Sequence, residues 1–217
     1  MKQKRFPNKI FVTGTDTGIG KTLVSAILVA GLKGEYWKPV QSGIEDVTDT
    51  QWIKQKTGFT DDYFHPETYN LKLPLSPHAS AVNDGVRIDL EFFRIPENRK
   101  SNYLIIEGAG GIMVPLNEKH FILDLIKKFN IPTLLVSSSS LGTINHTLLS
   151  LEQLRRHGLE VMGVVMNGEI NSINREAIER FGKVNVLAEI KKLTDITLKT
   201  LIRAFRENFM PKFERIS

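Results

Sequence analysis

The amino-acid sequence predicts an α/β fold, a single domain with a mostly parallel, doubly wound sheet. Short apolar runs alternate with amphipathic stretches along the 217 residues, which is the pattern of successive βα units. The apolar runs are nearly continuous, as in parallel strands that helices cover on both faces. The length suits one sizeable α/β domain and is short for two. We therefore expect one domain over residues 1–217.

Six apolar runs are predicted to be buried strands. Each is short and almost continuously apolar, which indicates a strand inside a covered sheet. They occupy residues 9–14, 36–40, 103–108, 132–138, 161–167 and 184–190. A further segment, 113–116, follows two glycines and is predicted to be a short extra strand or the arm of a hairpin.

Six stretches between these strands carry helical spacing of apolar residues. They occupy residues 21–33, 48–57, 121–129, 143–157, 172–182 and 194–209. In open sheets of this kind ligands bind at the carboxyl ends of the strands. The peptides at the predicted strand ends are rich in glycine, hydroxyl groups or charge, and read TGTDTGIGKT, KPVQSG, EGAGG, SSSSLGTINH and MNGE. We expect them to converge on one cleft.

The formal net charge of +5 is concentrated near the ends of the chain. The basic residues there are Lys2, Lys4, Arg5 and Lys9, then Lys199, Arg203, Arg206, Lys212 and Arg215. Solvated terminal charge is favoured over a nucleic-acid surface, because no RNA- or DNA-binding motif accompanies the charge. An anionic small-molecule substrate would also suit a basic protein. We expect no nucleic-acid partner.

The sequence carries no evident export or membrane signal. The apolar run after the basic start is too short for a signal-peptide core. The longest apolar stretch, within TLVSAILVAGL, is about half of the roughly 20 residues that span a bilayer. Cysteine is absent, which excludes disulfides, thiol nucleophiles and thiolate metal sites. We expect a soluble, cytoplasmic protein without a membrane partner.

The segment between the first predicted strand and helix indicates a phosphate-binding loop. A glycine-rich turn at a helix N-terminus directs backbone N–H groups at an anion, and the usual pattern is G-x-x-x-x-G-K-[ST]. Gly20, Lys21 and Thr22 fit the end of this pattern, but five residues separate Gly14 from Gly20, and Thr15 takes the place of the first glycine. The alternative is a glycine-rich turn without a ligand.

If the loop binds phosphate, the fold has a P-loop NTPase-like core. Lys21 is then expected to reach the β- and γ-phosphates of a nucleoside triphosphate. The hydroxyl of Thr22 is expected to ligate Mg²⁺.

The spelling VTGTDTGIGKT at residues 12–22 closely resembles the start of the dethiobiotin synthetases. The resemblance continues in order with KPVQSG at 38–43, SPH at 76–78, EGAGG at 107–111, LGTINHT at 141–147 and MNG at 166–168. It thus covers nearly the whole chain. The resemblance implies carboxylation of 7,8-diaminononanoate by CO2, phosphorylation of the carbamate by ATP, and attack by the second amine to close the ureido ring with loss of phosphate.

The resemblance also implies the roles of individual residues. Lys38 and Lys21 are the expected catalytic residues. The expected nucleotide-binding residues are Thr15, Asp16, Thr17, Gly18, Ile19, Gly20, Lys21, Thr22, Asp49, Glu107, Gly108, Ala109, Gly110, Asn167 and Gly168. The expected substrate-binding residues are Thr17, Lys38, Ser42, Gly111, Leu141, Gly142, Thr143, Ile144 and Asn145.

Thr22, Asp49 and Glu107 form the expected metal site. Glu107 ends an apolar strand, where a carboxylate is costly unless it meets a cation or several donors. Asp49 has a rival interpretation as a helix N-cap, because Thr48 and Asp49 precede a helical stretch. Asp46 is the fallback ligand, since the connection between Ser42 and Asp49 is short.

In the family, the segment that corresponds to residues 141–145 comes from the neighbouring subunit and binds the carboxylate of the substrate, so a homodimer with shared active sites is implied. Asn167 matches the asparagine that reads the nucleobase. The later base-contacting segment departs from the Gly-Glu-Ile-Pro pattern of the family, because this chain has Ala188 to Lys192 there, and base selectivity stays open. His78 and His146 are expected to have structural or supporting roles rather than to bind metal.

The main alternative is a P-loop switch ATPase of the partition type. Such proteins usually place an additional lysine five residues before the main lysine of the loop. This chain has Asp16 there, which counts against that class. An amide-forming ligase of the cobyrinate type normally carries a cysteine nucleophile, and this sequence has no cysteine.

Overall fold

A computed structural model describes residues 5–213 of the chain. Lys2, Lys4 and Arg215, which belong to the basic terminal clusters, lie outside the described residues. Nine strands are present in this part of the chain: β1 Lys9–Gly14, β2 Glu35–Trp37, β3 Val40–Ser42, β4 Phe64–His65, β5 Tyr69–Leu71, β6 Leu104–Gly111, β7 Thr133–Ser138, β8 Val161–Asn167 and β9 Val186–Ile190.

The same residues form seven α-helices and two short 3₁₀ helices. The α-helices are α1 Lys21–Leu32, α2 Asp49–Thr57, α3 Pro77–Asn83, α4 Ile122–Phe129, α5 Thr143–Arg156, α6 Ser172–Gly182 and α7 Leu198–Asn208. The 3₁₀ helices cover Asp61–Tyr63 and Leu90–Phe92.

Seven strands form one parallel sheet in the order β4-β2-β6-β1-β7-β8-β9. Successive residues of β1 show that both faces of this sheet are covered. Ile10 and Val12 pack in the cluster that contains α1 and α7, whereas Phe11 packs with residues of α4 on the opposite face. This alternation follows from the two-residue period of a strand. The predicted α/β fold with a mostly parallel, doubly wound sheet is therefore confirmed.

Each of the six predicted strands and six predicted helices corresponds to an element of the structure, and three of them differ notably in bounds. The strand predicted at 103–108 continues to Gly111 as β6, so Glu107 lies inside this strand and not at its end. The strand predicted at 36–40 is wrong in extent, because β2 ends at Trp37. The chain then leaves the main sheet at Lys38 and Pro39, and β3 pairs with β5 in a separate two-stranded parallel sheet. The helix predicted at 194–209 begins only at Leu198, because Thr197 caps it with a capping box.

Segment 113–116 is not an extra strand of either sheet. It forms the arm of a small hairpin, the other predicted alternative, because Pro115 makes an antiparallel bridge with Phe121 and the backbone N–H of Leu116 donates a hydrogen bond of 2.8 Å to the carbonyl oxygen of His120. The elements β4, β5 and α3 were not predicted from the sequence. These elements have two, three and seven residues, and such short segments carry too little periodicity to be recognised. Within residues 5–213, no helix combines the length and apolar character that a membrane span requires.

The sheet brings the predicted functional peptides to one edge. The phosphate loop connects β1 to α1, and β1 lies beside β6, which carries Glu107. Tyr36 pairs with Ile105 and Trp37 with Ile106 in the register of β2 and β6, so Lys38 follows β2 at the level of Glu107. The register thus places a lysine beside a glutamate next to the phosphate loop.

Candidate active site

The phosphate loop, residues 15–20, ends at the N-terminus of α1. Gly18 and Gly20 have φ angles of 72° and 95°, in the left-handed region that favours glycine. Gly20 occupies the N-cap position of α1 and offers no side-chain cap to the first N–H groups of the helix. Such N–H groups, with the helix dipole, form an anion-binding site. The loop therefore has the geometry of a phosphate cradle despite its unusual spelling.

Lys21 is directed back across this loop. Its Nζ donates a hydrogen bond of 2.7 Å to the carbonyl oxygen of Asp16. Burial lowers the pKa of Lys21 to about 8, although Glu107 acts in the opposite direction. The ammonium group is therefore held over the loop, in an environment where a nearby anion would favour its charged form.

Asn167 contacts the far side of the loop from the end of β8. Its Nδ2 donates a hydrogen bond of 2.9 Å to the carbonyl oxygen of Ile19. A Cβ atom added to Gly20 would lie 2.2 Å from the same Nδ2, so only glycine fits there without displacement of Asn167. The residue expected to read the base therefore also holds the loop.

Lys38 lies between two carboxylates. Its Nζ is 2.5 Å from Oδ2 of Asp49 and 3.1 Å from Oε1 of Glu107, and its residue is only 4% exposed. Burial acts to lower the pKa of Lys38, but Glu107 and Asp49 outweigh it and hold this pKa above its ordinary value. Burial likewise acts to raise the pKa of Asp49, and Lys38 reverses the shift to a lower value. The three groups form a charged, mutually compensated cluster.

Thr22 joins the same two carboxylates. Its Oγ1 lies 2.8 Å from Oδ1 of Asp49 and 3.0 Å from Oε1 of Glu107, and it can donate its single proton to one of them at a time. The structure thus brings together the three residues expected to bind metal. Two carboxylates and a hydroxyl are oxygen donors of the kind that Mg²⁺ prefers, with phosphate oxygens and waters as its other usual ligands.

The described residues contain no group of three or more His, Cys, Asp or Glu side chains placed to hold a metal. Two protein carboxylates nevertheless fit Mg²⁺, which is usually bound through one or two carboxylates together with substrate phosphates. The donor set is therefore suited to a metal that arrives with a nucleotide, and less suited to a metal held by the protein alone.

Two alternatives to Asp49 as a metal ligand were open: that Asp49 is the N-cap of a helix, and that Asp46 lies in the site instead. Thr48 is the N-cap of α2, and its side chain accepts a hydrogen bond from the backbone N–H of Gln51 in a capping box. Asp49 is therefore the first residue of the helix rather than its cap. Asp46 is exposed and does not line the cleft, whereas Asp49 does.

Two side chains that the sequence analysis missed support this cluster. The hydroxyl of Tyr36 donates a hydrogen bond of 3.0 Å to Oε2 of Glu107. Oε1 of Gln41 accepts one of 3.2 Å from the backbone N–H of Asp49, and Nε2 of Gln41 donates to the carbonyl oxygen of Ser42. The two-residue period would have indicated that Tyr36 shares a strand face with Lys38. Gln41 carries no comparable signal.

A cleft of about 520 Å³ lies over these groups. The predicted site residues that line it are Thr17, Gly18, Gly20, Lys21, Thr22, Lys38, Ser42, Asp49, Glu107, Ala109 and Gly110. One wall consists of residues 74–77, which the sequence analysis had not assigned beyond their match to the family motif. The hydroxyl of Ser42 is buried without a hydrogen-bond partner in the described part of the chain, so it is a candidate donor or acceptor for a ligand.

Other predicted residues lie outside this cleft. Thr15, Asp16 and Gly111 line a neighbouring recess of about 480 Å³, together with the exposed His146. A Cβ atom on Gly108 would lie 3.0 Å from the ring of Phe11, which points to a packing role. Ile19, Asn167 and Gly168 do not line the cleft either.

The segment 141–145 also does not reach the cleft of its own chain. It forms the start of α5, where Thr143 is buried while Gly142 and Asn145 are exposed, and Leu141 is fully exposed. Within one chain, therefore, the structure does not bring these five residues to Lys38.

Residues 188–192, the later segment expected to contact the base, and His78 also lie outside the cleft. Glu189 is bound by the guanidinium of Arg175 at 3.0 Å. Lys191 and Lys192 are exposed, and Asn167 is paired with Ile190 in the sheet. His78 is exposed, with its Nδ1 3.1 Å from Oγ of Ser76.

Comparison with known proteins gives a consistent result along the chain. A family profile described as an AAA domain matches residues 8–200. The ATP-dependent dethiobiotin synthetase BioD of Nitrobacter hamburgensis is 44% identical over 201 residues, which are 93% of this chain and 94% of that protein. The protein of the same name from Paramagnetospirillum magneticum is 46% identical over 192 residues, 88% of this chain and 92% of that protein.

Solved structures resemble the fold at low sequence identity. The cell division ATPase MinD of Pyrococcus furiosus has a TM-score of 0.53 at 18% identity, over 95% of this chain and 89% of that one. A ParA family ATPase from Chlorobium tepidum has a TM-score of 0.50 at 13% identity, over 91% of this chain and 90% of that one. At such identities the likeness bears on the fold alone.

Proposed function

This chain belongs to the dethiobiotin synthetase family, and from that premise we propose that it uses ATP to convert 7,8-diaminononanoate and CO2 to dethiobiotin in biotin biosynthesis. The observation that carries the proposal is the position of Lys38, which lies between Asp49 and Glu107 in a cleft beside the phosphate loop. A transfer of phosphate between anionic groups requires positive charge where they meet.

The reaction has three balanced steps. One amine of the substrate adds to the carbon of CO2 and loses a proton to give a carbamate. A carbamate oxygen then attacks the γ-phosphorus of ATP, and ADP leaves. The second amine attacks the carbonyl carbon of the resulting anhydride and loses a proton, and phosphate leaves with the bonding electrons of the C–O bond as the ring closes.

Lys21 and the N-terminus of α1 bind the phosphates in this proposal. Lys21 already lies over the loop through its bond to the carbonyl oxygen of Asp16, and an incoming phosphate offers its ammonium group a stronger, charged acceptor. The positive φ angles of Gly18 and Gly20 allow the loop backbone to approach the phosphates closely.

Lys38 binds the carbamate and the transferred phosphoryl group. Its ammonium group is buried and charged because two carboxylates compensate it, so it is positioned before the substrate arrives. Positioning of this kind lowers the barrier, because little reorganisation is needed in the transition state.

Thr22, Asp49 and Glu107 are the proposed ligands of Mg²⁺. When bound, the cation neutralises charge on the β- and γ-phosphates and on the departing ADP. The chain's own contribution is to hold the two carboxylates 2.8 and 3.0 Å from one hydroxyl, next to the phosphate loop.

Ser42 and the wall formed by residues 74–77 are the proposed contacts of the diamine. The unpartnered hydroxyl of Ser42 can bond to an amine or a carbamate, and the exposed Leu75 offers an apolar surface to the carbon chain. The mixture of charged and apolar lining matches a substrate with two polar ends and an aliphatic middle.

We propose a homodimer in which residues 141–145 of one subunit complete the substrate site of the other. Support comes from the exposure of Leu141, Gly142 and Asn145 at the start of α5 and from the absence of all five residues from the cleft of their own chain. The free N–H groups at the start of α5 suit the carboxylate of the substrate. A cytoplasmic location is also proposed, in keeping with a cysteine-free sequence.

The decisive experiment measures phosphate release and product mass with 7,8-diaminononanoate, bicarbonate, ATP and Mg²⁺, each omitted in turn. We expect dethiobiotin, detected by mass spectrometry, only when all four are present. Nucleotide hydrolysis that proceeds without the diamine, and without product, would show that the loop binds nucleotide but that the proposed reaction is wrong. Binding of plasmid DNA at moderate salt would favour a partition-type ATPase instead.

A further inference from the structure

The carboxylate of Glu107 has two oxygens in different surroundings. Oε2 accepts a hydrogen bond of 3.0 Å from the hydroxyl of Tyr36. Oε1 lies 3.0 Å from Oγ1 of Thr22 and 3.1 Å from Nζ of Lys38. Tyr36 is fully buried and Glu107 is 1% exposed. One oxygen is thus held from inside the protein, while the other faces the groups that line the cleft.

Strand geometry explains why Tyr36 can reach this carboxylate. Tyr36 and Lys38 are two residues apart, so their side chains leave the β2 segment on the same side. Tyr36 pairs with Ile105 of β6, and Glu107 follows Ile105 by two residues, which places its side chain on that side as well. The ring of Tyr36 packs edge-on against Phe64 of β4, with 6.4 Å between centroids. Packing therefore fixes where the hydroxyl points.

We propose that Tyr36 is a positioning residue of the metal–nucleotide site, which fixes Glu107 so that Oε1 alone is presented to Thr22 and the phosphate loop. The inference rests on the proposed function, because it requires Glu107 to act as a ligand of nucleotide-bound Mg²⁺. Without the hydroxyl, Oε2 is a buried acceptor with no donor among residues 5–213, and the carboxylate can rotate away from its present orientation.

A purely structural role for the same hydrogen bond makes a different prediction. If Tyr36 only satisfied a buried carboxylate, its loss would lower thermal stability and weaken nucleotide binding equally with and without Mg²⁺. If Tyr36 orients a metal ligand, its loss affects mainly the part of the nucleotide affinity that Mg²⁺ contributes. The ratio of the two affinities therefore distinguishes the roles.

The test is calorimetric titration of the full chain with ADP, in the presence of Mg²⁺ and again with a chelator. The quantity compared is the dissociation constant without Mg²⁺ divided by that with Mg²⁺. We expect Tyr36→Phe to lower this ratio about tenfold, the effect of one hydrogen bond to a charged group, with the Mg²⁺-free constant unchanged within about twofold.

Tyr69→Phe is the matched control. The hydroxyl of Tyr69 accepts a hydrogen bond of 2.9 Å from the backbone N–H of Asp89, and Tyr69 does not line the cleft. This variant loses an engaged hydroxyl away from the carboxylates, so both constants should stay at the wild-type values. An equal loss of the ratio in Tyr36→Phe and Tyr69→Phe would overturn the proposal.

Glu107→Gln, alone and combined with Tyr36→Phe, asks whether Tyr36 acts through Glu107. We expect Glu107→Gln to lower the ratio and the added Tyr36→Phe to lower it no further. A further decrease, or an unchanged ratio in a folded Tyr36→Phe variant, would contradict the proposal. If Tyr36→Phe alone does not fold, the double variant still decides, because it contains no buried carboxylate at position 107.

The wild-type protein separates this inference from the proposed function. Dethiobiotin formation with a strong Mg²⁺ effect on ADP binding, but no change in Tyr36→Phe, would overturn only the role of Tyr36. A wild-type ratio near one would overturn both the metal assignment and the role of Tyr36.

Discussion

The ammonium group of Lys38 lies 2.5 Å from Oδ2 of Asp49, and this lysine compensates a carboxylate that would otherwise face Glu107 across the cleft. The arrangement joins the two requirements of the proposed reaction. Positive charge is fixed beside the phosphate loop, and Lys38, against the effect of burial, holds the pKa of Asp49 below its ordinary value at the place where a divalent cation would bind.

Lys38→Met tests the central role of this lysine. Methionine retains much of the volume of the side chain but has no charge, so the transferred phosphoryl group loses a fixed electrostatic partner. We expect the rate of dethiobiotin formation to fall by about 10²- to 10³-fold. The measurement is product formation at saturating ATP, Mg²⁺ and diamine.

Lys54→Met is the control for Lys38→Met, because Lys54 is a half-exposed lysine in an ion pair with Asp61. Its rate should equal that of the wild type, since exposed ion pairs contribute little. A Lys38→Met variant that retained more than a tenth of the wild-type rate would argue against Lys38 as the catalytic lysine.

Gly20→Ala and Gly18→Ala form a matched pair in the phosphate loop. Both glycines have positive φ, so alanine introduces backbone strain of roughly 1 kcal/mol at either position. At Gly20 the new Cβ would also meet Nδ2 of Asn167, at 2.2 Å, whereas at Gly18 no atom of the described part of the chain lies within 4 Å of it. We expect Gly20→Ala to weaken ATP binding at least about tenfold more than Gly18→Ala does, as measured by calorimetry. Equal effects would indicate that the contact with Asn167 is not needed for the shape of the loop.

Asn167→Ala tests whether Asn167 both holds the phosphate loop and reads the nucleobase. Because Nδ2 of Asn167 holds the carbonyl oxygen of Ile19, its loss should weaken binding of ATP, CTP, GTP and UTP alike. Because Oδ1 can still accept a hydrogen bond from an exocyclic amino group, its loss should also reduce any advantage of ATP over GTP. The measurement is kcat/KM for each triphosphate with both proteins. Equal wild-type rates with all four triphosphates would contradict a preference for adenine. The contact between Asn167 and the loop would then be tested by the triphosphate affinities of the two proteins.

The predictable part of the site consists of residues that lie at strand ends or in glycine-rich turns. The phosphate loop follows from the alternation of strands and helices and from its glycine pattern, because parallel strands end at one edge of the sheet. The role of Lys38 follows from the resemblance of KPVQSG to the family motif, and Glu107 was found as a carboxylate in an apolar strand, which continues to Gly111. The roles of Tyr36 and Gln41 could not be predicted, because each role is a hydrogen bond to a residue distant in sequence. These contacts are set by the register of β2 against β6 and by the departure of the chain from the main sheet after Trp37. The wall at residues 74–77 leads into α3, whose first residue is Pro77, and a helix of only seven residues is too short to show a helical period in the sequence.

The buried pair formed by Glu35 and His65 should make the stability of the protein depend on pH. Oε2 of Glu35 lies 2.6 Å from Nε2 of His65, and Oε1 accepts three hydrogen bonds from the backbone N–H groups of residues 99–101. Burial lowers the pKa of His65 below its ordinary 6.5, although Glu35 acts in the opposite direction. Burial acts to raise the pKa of Glu35, but the backbone donors and His65 hold it below its ordinary 4.5.

The direction in which the free energy of unfolding changes with pH follows from how many protons the folded and the unfolded chain bind. Between pH 6.5 and the lower folded pKa of His65, the unfolded chain binds more protons at this ring than the folded chain does, so the free energy of unfolding falls with falling pH, by at most about 1.4 kcal/mol per pH unit. The contribution of Glu35 is complete above pH 4.5 and is lost as the pH falls through its lower folded pKa. Urea denaturation at several pH values from about 7.5 to about 2.5 measures both effects.

His65→Gln removes the titrating ring but keeps a donor for Glu35. We expect the pH dependence between 6.5 and 5 to become flatter in this variant. His157→Gln, which removes an exposed histidine, should leave the slope unchanged. A wild-type stability that stays constant from pH 7 to 5 would contradict the buried, neutral state of His65.

Leu141→Asp tests the proposed homodimer. Leu141 is fully exposed in the single chain, so a charge there should not lower the stability of an isolated subunit, whereas it should break an interface that buries it. We expect sedimentation velocity to show a dimer for the wild type and a monomer for Leu141→Asp. The activity of the variant should fall with dimer content, because residues 141–145 do not reach the cleft of their own chain. Phe181→Asp places the same charge on another exposed apolar residue, in α6, and should remain dimeric and active. A monomeric wild type with full activity would contradict a shared site, and dissociation of both variants would place the interface over α6 as well as α5.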